Sequence, residues 1–80
     1  VFFDGNHRKE ATLGYFKSFL PKVGDNTVFI FDDIRWSRGM YEAWMKIIKD
    51  DRTTVTIDLF NFGMVFFRRQ QAKQHFVVKF

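Results

Sequence analysis

Val28-Phe29-Ile30-Phe31-Asp32-Asp33 is a run of four apolar residues closed by two acids. A run apolar on both faces suits a central strand of a parallel sheet covered by helices on both sides, and its closing acids fall at the carboxyl end. A similar run, Val1-Phe2-Phe3, stands upstream and enters a tight turn at Asp4-Gly5-Asn6-His7. Between the two, Leu13, Phe16, Leu20 and Val23 recur at spacings of three and four, the stripe of an amphipathic helix, which Pro21 discourages from continuing. Gly14 inside it costs about 1 kcal/mol against Ala, too little to overturn the pattern. The stretch from Val1 to Phe31 therefore reads as a βαβ unit.

Downstream, Ser37 is placed to cap a helix whose Met40, Ala43, Trp44, Ile47 and Ile48 fall on one face. From Thr54 to Phe60, Val55, Ile57 and Leu59 alternate with Thr54, Thr56 and Asp58, which predicts a strand with one apolar face. Asn61-Phe62-Gly63 supplies a reversal with Gly available for positive φ, and Met64-Val65-Phe66-Phe67 returns antiparallel. Phe76, Val78 and Phe80 alternate with Val77 and Lys79 as a further strand. The order is β-α-β-α-β-β plus a tail, an α/β sheet with parallel strands and one antiparallel strand.

The chain has 80 residues, 46% of them hydrophobic and 28% charged. A fold of this size hides only about 64% of the surface of its extended chain, so one core and one domain, residues 1–80, is the limit. No apolar run approaches the ~20 residues of a membrane-spanning helix. The lack of cysteine removes disulfides and thiolate sites, and with no secretory leader in view the expected compartment is cytoplasmic. The net charge of +4 is local: Val1 to Phe67 carry nine basic and nine acidic residues, and the excess is Arg68, Arg69, Lys73 and Lys79. Such a tail is usually a solvated face, with nucleic-acid binding the minor reading. Opening at once on a core strand, the chain is expected to be truncated.

In an open parallel sheet, ligands bind beyond the carboxyl ends of the strands. Both acidic turns fall there. If the two apolar strands are neighbours, Asp4 comes close to Asp32 and Asp33, and three carboxylates so placed call for protons or a hard cation such as Mg²⁺ or Ca²⁺. The plain alternative is that these acids cap turns. His7 is a candidate base or ligand, or simply a partly exposed hydrogen-bonding residue beside a turn; Asp4 and Asp32 are the other catalytic candidates, and Trp36 could stack on a planar substrate or close the edge of the core. Trp44 belongs to the core and His75 is structural or solvated. No Gly-rich phosphate loop, nucleophile elbow or two-His metal motif occurs.

Val1-Phe2-Phe3-Asp4-Gly5-Asn6-His7, a helix of about fifteen residues, and Val28 to Ile34 together resemble the second half of class I S-adenosylmethionine-dependent methyltransferases. In that family the fourth strand often ends in a phrase like "FIDGDH" and the fifth in an acidic pair before a helix. Thr54–Phe60 and Gly63–Arg69 look like its reversed sixth and seventh strands. The resemblance covers nearly the whole chain and is nearest to small-molecule O-methyltransferases. It implies the C-terminal half of a Rossmann-like methyltransferase sheet, whose parent moves a methyl group to an oxygen or nitrogen of a small molecule. Catechol-type members hold a divalent metal at positions matching Asp4, Asp32 and Asp33, although Asp33 stands where Asn is usual. The family's general-base Lys would fall near Asn6 or His7, and no Lys stands there. Asn6 and Trp36 would then face the substrate.

The glycine-rich turn and ribose-binding acid of that family precede this segment. The resemblance thus implies no cofactor-binding residue here, and a chain that neither binds S-adenosylmethionine well nor turns over alone. It also implies an uncovered apolar edge at Val1 to Phe3, and hence a homodimer or higher oligomer through that edge, unless Phe76 to Phe80 folds back over it. The other functional expectation is a small binding module whose basic tail meets nucleic acid or an acidic protein.

Overall fold

The computed structural model describes residues 2–3, 9–70 and 72–78, the first two as backbone alone. The elements are β1 (Phe2–Phe3), α1 (Lys9–Phe19), a 3-10 turn (Leu20–Lys22), β2 (Val28–Asp32), α2 (Arg38–Lys49), β3 (Val55–Asp58), β4 (Phe62–Phe66) and β5 (Gln74–Val77). They make an α/β fold with a single mixed sheet in the order β1-β2-β4-β3-β5. β1 runs parallel to β2, with Phe3 opposite Phe31, and β3 runs parallel to β5. β4 lies between β2 and β3, antiparallel to both.

The helices form where the apolar spacing places them. Ser37 caps α2, its hydroxyl accepting the Met40 amide at 3.2 Å, and Met40, Ala43, Trp44 and Ile47 are buried along one stripe. Helix α1 buries Thr12 and Phe16, and Pro21 converts its last turn to 3-10 geometry.

Both crossovers, β1 to β2 and β2 to β3, step the same way along the sheet. Right-handed connections then put both helices on the same face, and α1 packs against α2 there. The core lies between them and the sheet: Phe16, Leu20, Trp44 and Ile47 against Phe29, Phe31, Val65 and Phe67. Phe16, Phe29 and Phe67 interlock, with the last two rings edge to face at 4.7 Å.

This corrects the expectation of helices on both sides of β2. Its buried residues are Phe29 and Phe31, whereas Val28 and Ile30 on the opposite face are half-buried. Cross-strand register extends that second face as one row through Val28, Phe66 and Val55 and another through Ile30, Met64, Ile57 and Phe76, with Phe62 beside Asp32 at one end. Among the described residues no helix covers it.

Three further expectations change. The polar residues of β3 point inward: Thr56 and Asp58 are each 2% exposed, under the helices, while Ile57 faces the open side. Alternation groups residues by face without saying which face is inside, and here Asp58 and Thr56 find partners in Arg35 and His75. The reversal occupies Leu59-Phe60-Asn61, and its positive φ of 71° belongs to Phe60. Gly63 lies within β4, where Trp44 covers it so closely that a Cβ would collide with Cη2 of the indole. Finally, the tail strand pairs with β3 at the far margin and does not fold over β1, so that alternative is withdrawn.

Candidate functional site at the carboxyl end of the sheet

The loop after β2 and the β3–β4 turn meet at the carboxyl ends of the parallel strands. Asp32, half-buried as the last residue of β2, accepts the Asp33 amide on Oδ1 at 3.0 Å. Asp33 adopts φ 57°, the left-handed region that Asn and Asp enter most readily among residues with a side chain. This conformation turns the chain so that Trp36 donates its amide to the Asp33 carbonyl at 2.9 Å. Ile34 drops into the core, and its amide reaches the carbonyl of Asn61 at 3.3 Å, tying the two loops together. Trp36 is 66% exposed and so does not close the edge of the core.

The strongest polar contact here joins two residues that sequence reasoning did not single out. Arg35 grips Asp58 with both terminal nitrogens, Nη1 to Oδ1 at 2.6 Å and Nη2 to Oδ2 at 2.7 Å, and Nη1 also donates to the Phe60 carbonyl at 2.7 Å. The guanidinium lies over Phe60 at 4.6 Å and over Tyr41 at 5.2 Å. Asp58 Oδ1 accepts the Phe60 amide at 2.8 Å, so this one pair holds the positive-φ turn at both its amide and its carbonyl.

Burial pushes the Asp58 carboxyl upward, but hydrogen bonds from Arg35 and the Phe60 amide outweigh it and hold the group below the ordinary carboxylate value. The Trp44 indole helps to lower it, yet its Nε1 does not attain hydrogen-bond geometry and is a buried donor without a partner. The Arg35 pKa is raised, chiefly by the hydrogen bond to Asp58. Nothing local in the sequence could have found this pair, since its members stand 23 residues apart; the one hint is that Asp58 shares its strand parity with Thr56.

Around that lock, Asp32, Asp33, Trp36, Phe60 and Tyr41 are set at one end of the molecule, with Trp36, Phe60 and Tyr41 exposed. Asp4, Asn6 and His7 lie outside the described residues, so their part in the site is not placed, although β1 and β2 are neighbours as the acidic-cluster reading requires. Among the described residues no group of three carboxylate or imidazole side chains could hold a metal ion. Of the acidic pair, Asp32 commits Oδ1 to the Asp33 amide.

The basic tail is at the other end. Lys73 Nζ donates to the carbonyls of Asp50 and Thr53 at 2.7 and 2.8 Å and to Thr53 Oγ1 at 2.9 Å, so its charge closes the C-terminus of α2. Arg68 and Arg69 line a cleft with Asp25, Asn26 and Gln70, and Lys79 is outside the described residues. His75 Nδ1 meets Thr56 Oγ1 at 2.6 Å, a structural role as expected. Among the described residues no helix is long and apolar enough to cross a membrane. Compared with known proteins, the chain matches no family model, no curated protein and no solved structure.

Proposed function

We propose that this chain is the C-terminal half of an S-adenosylmethionine-dependent methyltransferase domain of the class I kind, and that it carries the side on which the methyl acceptor binds. The observation that carries the reading is the placement of β4. A single reversed strand stands between β2 and β3 of an otherwise parallel sheet, and an acidic pair follows β2 at its carboxyl end. This is the arrangement expected from the reversed closing strands and the acidic phrase together.

The acceptor is a small molecule with a nucleophilic oxygen or nitrogen. Asp32 and Asp33 sit where a carboxylate can take a hydrogen bond from the acceptor's O–H or N–H and orient its lone pair. Trp36 offers an exposed ring for stacking. By the resemblance alone, Asp4, His7 and Asn6, which lie outside the described residues, would belong to the acceptor side, with His7 or Asp4 as the proton acceptor. When bound by the whole domain, S-adenosylmethionine supplies the electrophilic methyl group. The chain holds no Gly-rich turn for that cofactor. Arg35, clamped by Asp58, is a positioning residue that fixes the loop bearing Asp33 and Trp36.

The test uses the coding sequence upstream of Val1. The reading predicts an open frame encoding a strand and a glycine-rich turn, whose longer product binds S-adenosylmethionine at micromolar concentration and loses at least about tenfold in methyl transfer on Asp32→Ala. A longer product that leaves the cofactor unbound would overturn the proposal.

A further inference from the structure

We infer that the cleft at the amino end of β2 takes a small phosphate monoester, with the phosphate between Arg68 and Arg69 and the organic part on an adjoining apolar floor. The cleft stands apart from the methyl-transfer reading, whose described residues lie at the opposite end of the sheet. It measures about 480 Å³ and is lined by Asp25, Asn26, Arg68, Arg69 and Gln70.

Both walls are held by the main chain. One is the turn over residues 24–27, in which the Thr27 amide donates to the Gly24 carbonyl at 3.0 Å and the Gly24 amide to Thr27 Oγ1 at 2.9 Å. Asp25 and Asn26 occupy its two central positions. On the other wall the Arg68 amide donates to Thr54 Oγ1 at 2.8 Å, and the Arg69 amide crosses to Asp25 Oδ1 at 3.3 Å. Consecutive residues of an extended strand would point to opposite faces. Here a turn at residues 69–70 lets both arginines line one cleft. Walls set before a ligand arrives lower the cost of ordering them on binding.

Charge selects the ligand. Arg35 and Arg52 are each closed on a carboxylate. Among the described residues Arg68 and Arg69 are held by their amides alone, which leaves both guanidinium groups uncommitted. Two such groups match the charge of a phosphate monoester, about −1.5 to −2 at pH 7, and their planar forks bond its oxygens in pairs. Asp25 keeps Oδ2 to accept a hydroxyl, and Asn26 and Gln70 add carboxamide donors. A nucleic-acid strand needs a run of cations, whereas this surface offers two free arginines beside the carboxylates of Asp25 and Asp51. The five-residue strand β2 sets Asp33 about 16 Å away, beyond the Debye length of about 10 Å at 0.1 M salt, so the acidic turn does not repel the anion.

Arg69 also lines a second cleft, of about 410 Å³, with Leu20, Pro21, Val23 and Phe67 as its apolar part. A charged recess and an apolar one thus share a residue. Inorganic phosphate fills the first alone, while a monoester with an apolar body gains from both.

The test is a titration of the 80-residue chain, labelled with nitrogen-15, with phenyl phosphate and with inorganic phosphate, read from backbone amide shifts. Phenyl phosphate should saturate with a Kd below about 1 mM and move the amides of residues 24–27 and 68–70, with inorganic phosphate at least about fivefold weaker. Arg68→Gln/Arg69→Gln should bind phenyl phosphate at least about tenfold more weakly. If that double variant loses the wild-type spectrum, Arg69→Gln alone gives the reading. Failure to saturate by about 10 mM, undiminished binding by the folded variant, or shifts centred on Lys46 and Lys49 would each overturn the proposal. So would inorganic phosphate binding as tightly as the ester, or a single-stranded oligonucleotide that displaces phenyl phosphate at lower concentration, which would mark a surface for polyanions.

Discussion

Arg35 and Asp58 decide the shape of the carboxyl end of the sheet, because between them they fix a turn that a bulky residue would otherwise avoid. Asp58 is 2% exposed and negatively charged, so removing its partner leaves an uncompensated buried carboxylate. Arg35→Met should cost about 3 kcal/mol at neutral pH. The pH dependence follows from the lowered carboxyl. A group held below its unfolded value contributes in full above that value, about 3.9, and its contribution is lost as pH falls through the folded one. Urea unfolding at pH 7 and near pH 3 should therefore show a large cost for Arg35→Met at the first and a much smaller one at the second. Equal costs at both would mean that Asp58 is not the charged partner. Gly63 is the other decisive residue. Gly63→Ala drives a Cβ into the Trp44 ring and should cost about 1–3 kcal/mol, and Trp44→Phe in the same chain should recover part of it. A double-mutant cycle without coupling would show that the two do not meet.

Among the elements, β2, α2 and the β3–β4 hairpin were legible in the sequence because their signals are local. Four apolar residues in a row, Ser37 ahead of a regular stripe, and alternation on either side of a reversal need no distant partner to be read. What the sequence hid is long-range. Phe60, and not Gly63, takes the positive φ, because Arg35 and Asp58 hold the turn from across the loop, while Gly63 is reserved for Trp44 from the helix above. Likewise Lys73 reads as part of a basic tail, and only the fold brings it to the last turn of α2. Lys73→Met should remove three hydrogen bonds there and cost about 1 kcal/mol. Because Lys73 adjoins β5, hydrogen exchange at Gln74 and Val78, whose amides bond to β3, should accelerate. Unchanged exchange would show that β5 docks without this clamp.

For the whole molecule, connection handedness matters more than any single contact. Two right-handed crossovers in the same direction place α1 and α2 together, so that among the described residues both helices lie on one sheet face. The sequence shows that Val28 to Phe31 is apolar on both sides; it does not show that both helices gather on the side of Phe29 and Phe31. The same topology puts Asp32, Asp33 and Trp36 at one end and the basic residues at the other. Of the candidate site, the acidic turn after β2 was legible at a strand end, the Asp4 turn lies outside the described residues, and the Arg35–Asp58 clamp was not legible. The proposed reading gives this chain the acceptor side of a methyltransferase without the cofactor's Gly-rich turn. Calorimetric titration of the 80-residue chain with S-adenosylmethionine tests it most directly. Binding no tighter than about 1 mM, a free energy near −4 kcal/mol, is expected, and binding at about 1 µM would overturn the proposal.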